Sequence, residues 1–313
     1  MRKFALILLA AFFPILSHGH TGTDSVSTGD RFAHKAIQVG TSVVATAGLT
    51  ELGKAIITER RPDGSDSRAF PSRHTSWAWA GAAVIARELY WHSPWWVLGA
   101  HTAANAMAFQ RVMSKNHWPG DVVAGAALGL ASVELGYWLG DLLYPQFKRH
   151  LPQATNSQAP YLSMSTEILL PLNQPDHPVH WRSGLGSHLT LSLPTSESTA
   201  MQLSAILQSR STAVNGRFYQ LSNCLGVAVG GQYRWLFCRR WAGEISAEAG
   251  VMKNFNRMGG FLNPWSFTGG INAGTSCRLT PRLAVGGQLG YNVASLYAAN
   301  HSLTISLLTR ATF

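Results

Sequence analysis

The sequence predicts a two-part protein: an N-terminal all-α helical bundle followed by a C-terminal antiparallel β-barrel of about eight strands. Three observations predict it. The hydrophobic period is helical up to about residue 150 and strand-like beyond residue 160. A polar, irregular stretch at 153–160, Gln-Ala-Thr-Asn-Ser-Gln-Ala-Pro, separates the two periods and reads as a linker. The links between the strands alternate short and long.

Residues 1–19 read as a secretory signal. Arg2 and Lys3 precede an apolar run from Phe4 to Leu16, and Ser17-His18-Gly19 offers small residues for cleavage after Gly19. The helical domain is then expected over 20–152. Its apolar stretches are Ala36–Ile57, Ser76–Trp91, Trp95–Met113 and Val122–Leu143, with Pro71, Pro94, Pro119 and Pro145 at or near the breaks. Glu51, Arg87, Glu88, Glu134 and Asp141 interrupt these stretches or lie at their ends. A packed bundle outside the membrane is therefore expected, with membrane spans as the alternative.

Beyond the linker the period is two. Leu189, Leu191 and Leu193 alternate with Thr190 and Ser192, and Leu225, Val227, Val229, Tyr233 and Trp235 share one face. Strands are expected at about 161–171, 184–193, 199–210, 222–236, 241–253, 265–277, 282–294 and 301–313. An even number of strands with short turns on one side and longer loops on the other resembles an outer-membrane β-barrel, as does the closing Phe313. Both ends of such a barrel fall on the short-turn side. That places the helical half in the periplasm, tethered to a barrel anchor. Arg234, Glu244, Glu248 and Gln288 are expected inside, as a polar network. A soluble barrel or sandwich is the other reading.

Composition agrees with a membrane-associated protein. Of 313 residues, 13% are charged, about half the usual share of roughly 25%. The net charge of +10 suits an anionic partner such as lipid phosphate or a membrane surface. No nucleic-acid motif accompanies it, and no obligatory protein partner is evident. The three cysteines, Cys224, Cys238 and Cys277, form no CxxC motif or metal spacing.

Three motifs stand in order in the helical half. Lys54 is followed after six residues by Arg61-Pro62. Pro71-Ser72-Arg73-His74 comes next. Arg111 is then followed after five residues by His117, and after three more by Asp121. Phosphoryl transfer needs positive charge around three equatorial oxygens, and Lys54, Arg61 and Arg111 supply three cations. On a continuing helix, Lys54 and Arg61 would share a face. Ser72 reads as the N-cap of the next helix, whose free N–H groups form an anion site. His74 in that turn is placed to act as general acid. Pro119 suits the first position of a helix, which lets Asp121 reach back to one nitrogen of His117 and leave the other free as nucleophile. Each residue alone also has an ordinary reading as surface charge, cap or structural histidine. His-x3-Asp could belong to a metal site, but no further ligands stand at suitable spacing, so no metal is expected.

Together the motifs resemble the three-part signature of the PAP2 (type 2 phosphatidic acid phosphatase) superfamily, K-x6-RP, PSGH and SR-x5-H-x3-D. Arg73 stands where the pattern has glycine, and Gln110 where it has serine. The resemblance implies a cofactor-free phosphatase in which His117, held by Asp121, forms a phosphohistidine, His74 protonates the leaving group, and Lys54, Arg61, Ser72, Arg73 and Arg111 hold the phosphate. It implies a phosphorylated lipid as substrate: a lipid A phosphate, an undecaprenyl diphosphate, or phosphatidylglycerol phosphate or phosphatidic acid. A vanadate-dependent haloperoxidase, a phosphotransferase and a catalytically inactive outer-membrane binding protein are the alternatives. Arg73 either crowds the phosphate or adds a cation.

Overall fold

A computed structural model describes residues 28–147, 159–174, 179–214, 217–238, 240–255, 264–295 and 299–313. The signal segment expected at 1–19 and most of the expected linker lie outside the described residues. The described chain forms helices α1 (Thr28–Ile56), α2 (Arg73–Leu89), α3 (Pro94–Met113) and α4 (Pro119–Leu143). Strands β1 (Tyr161–Pro171), β2 (Val179–Pro194), β3 (Thr199–Val214), β4 (Arg217–Leu236), β5 (Trp241–Phe255), β6 (Trp265–Thr280), β7 (Leu283–Ser295) and β8 (Ala299–Thr312) follow.

The helices start where chain chemistry says they should. Ser93 caps α3 by accepting from the Trp95 N–H at 3.3 Å, with Pro94 at the first position. Pro119 opens α4, and the Asp121 carboxylate accepts from the Trp118 N–H at 2.8 Å. Consecutive helices run antiparallel. The bundle packs tightly because α4 carries glycines where its neighbours come closest. A Cβ on Gly125 would lie 2.7 Å from the Ser72 carbonyl oxygen, and one on Gly136 would lie 2.5 Å from that of Gln38. Trp79, Ala83, Leu130, Val133 and Tyr137 form the core between them.

Of the charges that interrupt the apolar stretches, Arg87, Glu88, Glu134 and Asp141 gather at one end of the bundle, while Glu51 lies at the other. Lys35 pairs with Glu88, Arg87 donates to Glu134 at 2.9 Å, and His34 meets Asp141 at 3.0 Å. Residues 36–50, 75–86, 94–110 and 122–133 contain no Asp, Glu, Lys or Arg. Among the described residues, α4 is a helix long and apolar enough to cross a membrane, with half of its most apolar window buried.

The eight strands close into an antiparallel barrel in simple sequential order, β1 to β8, with β8 pairing back on β1. The lumen is filled by polar side chains. Glu244 accepts from Arg310 at 2.6 Å and from Gln232 and Gln288 at 2.9 Å. His188 lies between two carboxylates, with Glu248 3.1 Å from Nδ1 and Glu167 3.2 Å from Nε2. His188 belongs to none of the three sequence motifs. Arg234 also points inward, although its Nε has no hydrogen-bond partner. The outer wall is apolar and exposed over β3–β7, at residues such as Leu203, Val227, Val229, Ile271 and Leu289.

The bundle covers the outer wall of β1 and parts of β2 and β8, leaving Leu189, Leu193, Leu303 and Ile305 exposed. α3 runs along β1 in the same direction. Trp95 meets Phe313 edge-on at 5.5 Å, Leu98 packs with Leu162, and Phe109 packs with Leu185. Midway, the Asn105 side-chain amide donates to Ser187 Oγ at 2.9 Å and accepts from the Thr166 hydroxyl. The two halves are thus docked side by side, where the sequence led us to expect a tether alone.

Candidate active site

The three motifs meet at one end of the bundle, because α1 and α3 end there and α2 and α4 begin there. α1 stops at Ile56, so Arg61 does not extend the helical face of Lys54, as a continuing helix would require. It arrives instead on the loop 57–72, folded back on itself by a bridge between Glu59 and Arg68. Arg61 Nε donates to Asp66 Oδ1 at 2.7 Å within this loop. The Arg68 backbone N–H, and then the Arg61 guanidinium, hold the exposed Asp66 carboxyl below its usual range.

Lys54 is buried beneath the loop and fastens it. Its Nζ donates to the carbonyl oxygens of Pro71 at 2.7 Å and Arg68 at 2.9 Å. An ammonium has three protons, so one remains for a ligand. Ser72 occupies the N-cap position of α2, as expected, but its side chain makes no cap bond. The Ser72 hydroxyl instead accepts from Thr75 Oγ1 at 2.9 Å, and its N–H donates to the Asp121 carbonyl oxygen at 3.0 Å. The first turn of α2 is therefore pinned to the first turn of α4, without a serine oxygen over its N–H groups. That turn is left with free N–H groups, a chemistry suited to an anion.

His117 and Asp121 are 3% and 1% exposed. Asp121 Oδ2 lies 3.4 Å from His117 Nδ1, a contact longer than a hydrogen bond, while it caps Trp118. His74 is exposed at the rim, within electrostatic reach of Arg111, His117 and Arg73. Arg111 is within reach of Arg61. Arg73 turns its guanidinium to Glu51, which leaves the space above the helix turn less crowded than its place in the motif suggests. Arg73 Nε, Arg111 Nε, His117 Nδ1 and Asp121 Oδ1 are all buried without a hydrogen-bond partner. Buried polar atoms are costly to leave unsatisfied, so their clustering marks a place built for a polar ligand.

One residue of the site was not foreseen. Glu59, on the loop, faces the Asp121 carboxylate. Burial first, and then Asp121, push its carboxyl up to about 7. A protonated Glu59 has a proton to offer the Asp121 carboxylate. No motif marks such a residue, because it lies in a polar loop and acts through its neighbour. Among the described residues no group of three His, Cys, Asp or Glu side chains is arranged to hold a metal ion.

Comparison with known proteins finds matches to both halves of the chain. Residues 35–143 match the model of the PAP2 superfamily. Over 139 residues the chain is 32% identical to the lipid A 1-phosphatase of Porphyromonas gingivalis, a match covering 44% of this chain and 30% of that protein. The chain thus spans less than a third of that relative's length. The barrel half is similar to neisserial surface protein A, at 11% identity and TM-score 0.37, covering 50% of this chain and 100% of that one. It is also similar to the outer membrane enzyme PagL, at 15% identity and TM-score 0.32, covering 48% and 99%. The helical half, residues 35–143, is a PAP2 superfamily domain.

Proposed function

We propose that the protein is a phosphatase that removes phosphate from a phosphorylated lipid through a phosphohistidine on His117. The observation that carries this reading is the convergence of His117, Asp121, His74, Lys54, Arg61 and Arg111 on the open first turn of α2. The phosphate rests on that turn, with Ser72 and Arg73 at its edge. Lys54, Arg61 and Arg111 neutralise its equatorial oxygens. His117 Nε2 attacks phosphorus as the bond to the lipid oxygen breaks, and His74 gives that oxygen its proton. Water then attacks the phosphohistidine and passes a proton to His74. Inorganic phosphate leaves, and both histidines return to their starting states. The name of the relative, lipid A 1-phosphatase, favours a lipid A phosphate among the candidate substrates.

The test is phosphate release by the purified full chain from a panel of lipid phosphates, beside a His117→Ala control. Release that survives a strong chelator and is blocked by vanadate is expected. Equal release by the His117→Ala protein would remove His117 as nucleophile.

We further propose that the barrel sits in an outer membrane. An apolar, exposed outer wall around a polar, filled lumen supports this. So do two groups of exposed aromatic residues, Tyr233, Trp235 and Trp241 near the short turns, and Phe255, Trp265 and Phe267 near the longer loops. The protein should fractionate with the outer membrane, and its unboiled gel band should shift on heating. The expected periplasmic placement of the phosphatase half rests on where Tyr161 begins the barrel, whereas the site lies at the far end of a docked bundle.

A further inference from the structure

We infer that the helical bundle lies in the same bilayer as the barrel and takes its substrate from the leaflet on the long-loop side, as a lipid whose phosphate stands at that surface. The inference rests on the phosphatase and outer-membrane readings above and adds where the site faces.

The docking fixes the direction. At one end Trp95 meets Phe313, and Arg87 donates to the Leu279 carbonyl oxygen, beside the short β6–β7 turn. At the other end Gly120, between His117 and Asp121, lies against Ile168, where a Cβ would meet it at 3.7 Å. Ile168 pairs with Leu185, one step from the last pair of the β1–β2 ladder. The catalytic end of the bundle is therefore level with the barrel end that carries the two longest links, seven residues between β1 and β2 and nine between β5 and β6. The other two links at that end, expected to be long, are only two and three residues because β3, β4, β7 and β8 run on. Barrels of this kind turn their short links to the periplasm and their longer loops outward.

The bundle has the profile of a bilayer-embedded body. Its four charge-free stretches, 36–50, 75–86, 94–110 and 122–133, number 15, 12, 17 and 12 residues. At about 1.5 Å per residue they span roughly 18–25 Å, close to the apolar band of about 25 Å on such barrels. Below this slab the charges are paired and accompanied by exposed Trp91, Trp95, Trp96 and Trp138. These mark an interface level with Phe313 and the short-turn aromatics of the barrel. Above it stand Lys54, Arg61, Arg68, Arg73, Arg111 and Lys115, suited to anionic headgroups. Exposed Leu52, Ile56, Ile57 and Met113 flank the catalytic end and offer apolar surface to the acyl chains of a lipid held by its phosphate. The polar outer-wall residue Thr166 is costly against lipid, and Asn105 satisfies it while also donating to Ser187, whose own proton goes to the Ser165 carbonyl oxygen.

Cysteine labelling of the full chain in intact cells tests the direction. Cys238 is a natural reporter of the short-turn end, and Ser65→Cys, on the exposed site loop, reports the other. With a membrane-impermeant maleimide, Ser65→Cys should react in intact cells and Cys238 only after the outer membrane is opened. Reaction of Ser65→Cys only after opening, or of Cys238 before it, overturns the inference. Phosphate release by the same Ser65→Cys protein in detergent reports the phosphatase reading separately. In vesicles containing a phospholipid with a diazirine in its acyl chain, adducts should form on α1 around Val44. Adducts confined to the barrel overturn the embedding.

Discussion

Asp121 Oδ2 lies 3.4 Å from Nδ1 of His117, which precedes the helix by two residues, while the same oxygen accepts the Trp118 N–H at 2.8 Å. One carboxylate oxygen thus caps the helix and faces the imidazole we propose as the nucleophile. Asp121→Asn keeps an oxygen for the cap but removes the charge that favours the Nδ1–H tautomer. Phosphate release should fall by about 10²–10⁴-fold, with the gel shift of the folded barrel unchanged. A fall below tenfold would mean that another group orients His117.

Glu59 gives the site a pH dependence. Its carboxyl is raised from 4.5 to about 7, by burial and by Asp121. A raised carboxyl pKa means that folding takes up a proton. The stabilisation is therefore fully present below about pH 4.5 and is lost as pH rises through about 7. Glu59→Gln keeps a hydrogen-bond donor toward Asp121 at every pH. The temperature at which activity is lost should fall between pH 5 and pH 8 in the parent, and more shallowly in Glu59→Gln. Parallel pH profiles for the two proteins would remove Glu59 from the site.

Much of the fold was legible in the sequence, for identifiable reasons. Period two survives in the barrel because its lumen demands polar side chains and its exterior apolar ones, so Glu244 and Ile245 announce opposite faces. The motifs were legible because Lys54, Arg111 and His117 keep fixed spacings from the helix ends that carry them. The route of Arg61 was not, because nothing in the sequence stops α1 at Ile56 before the loop is folded against Lys54. The side-by-side docking was hidden for a different reason. Leu162, Met164 and Ile168 read as lipid-facing whether lipid or a helix covers them. Thr166, Ser187 and Thr309 on that face hint at a protein neighbour, and scattered hydroxyls on an apolar wall are a weak signal.

The lumen makes its own prediction. His188 bridges Glu167 and Glu248 inside the barrel, and both carboxylates are buried. His188→Ala leaves two carboxylates facing each other without a cation, at a cost on the order of 3–5 kcal/mol. The unboiled gel band should convert to the heated form at a lower temperature. Adding Glu167→Gln and Glu248→Gln should recover part of the loss, since neutral amides no longer repel. If His188→Ala converts at the parental temperature, the bridge contributes little to the barrel.

The seam between the halves can be tested through Asn105. Its amide joins Ser187 of β2 at 2.9 Å and its carbonyl oxygen takes the Thr166 hydroxyl of β1, both on the outer wall. The Thr166 hydroxyl has no water to turn to if lipid replaces the helix, so removing Asn105 strands it, whereas Ser187 keeps its own bond to the Ser165 carbonyl oxygen at 2.8 Å. Polar contacts between elements inside a membrane are typically worth about 0.6 kcal/mol and up to about 1.7 kcal/mol. Asn105→Ala should therefore lower the temperature at which activity is lost by a small, measurable step. Thr166→Val removes the partner hydroxyl at nearly constant volume. If the contact fixes the docking, the double variant should lose less than the sum of the two single variants, with a coupling in that range. Strict additivity would mean that the apolar packing of Phe109, Val112 and Leu185 holds the bundle to the barrel without help from the polar seam.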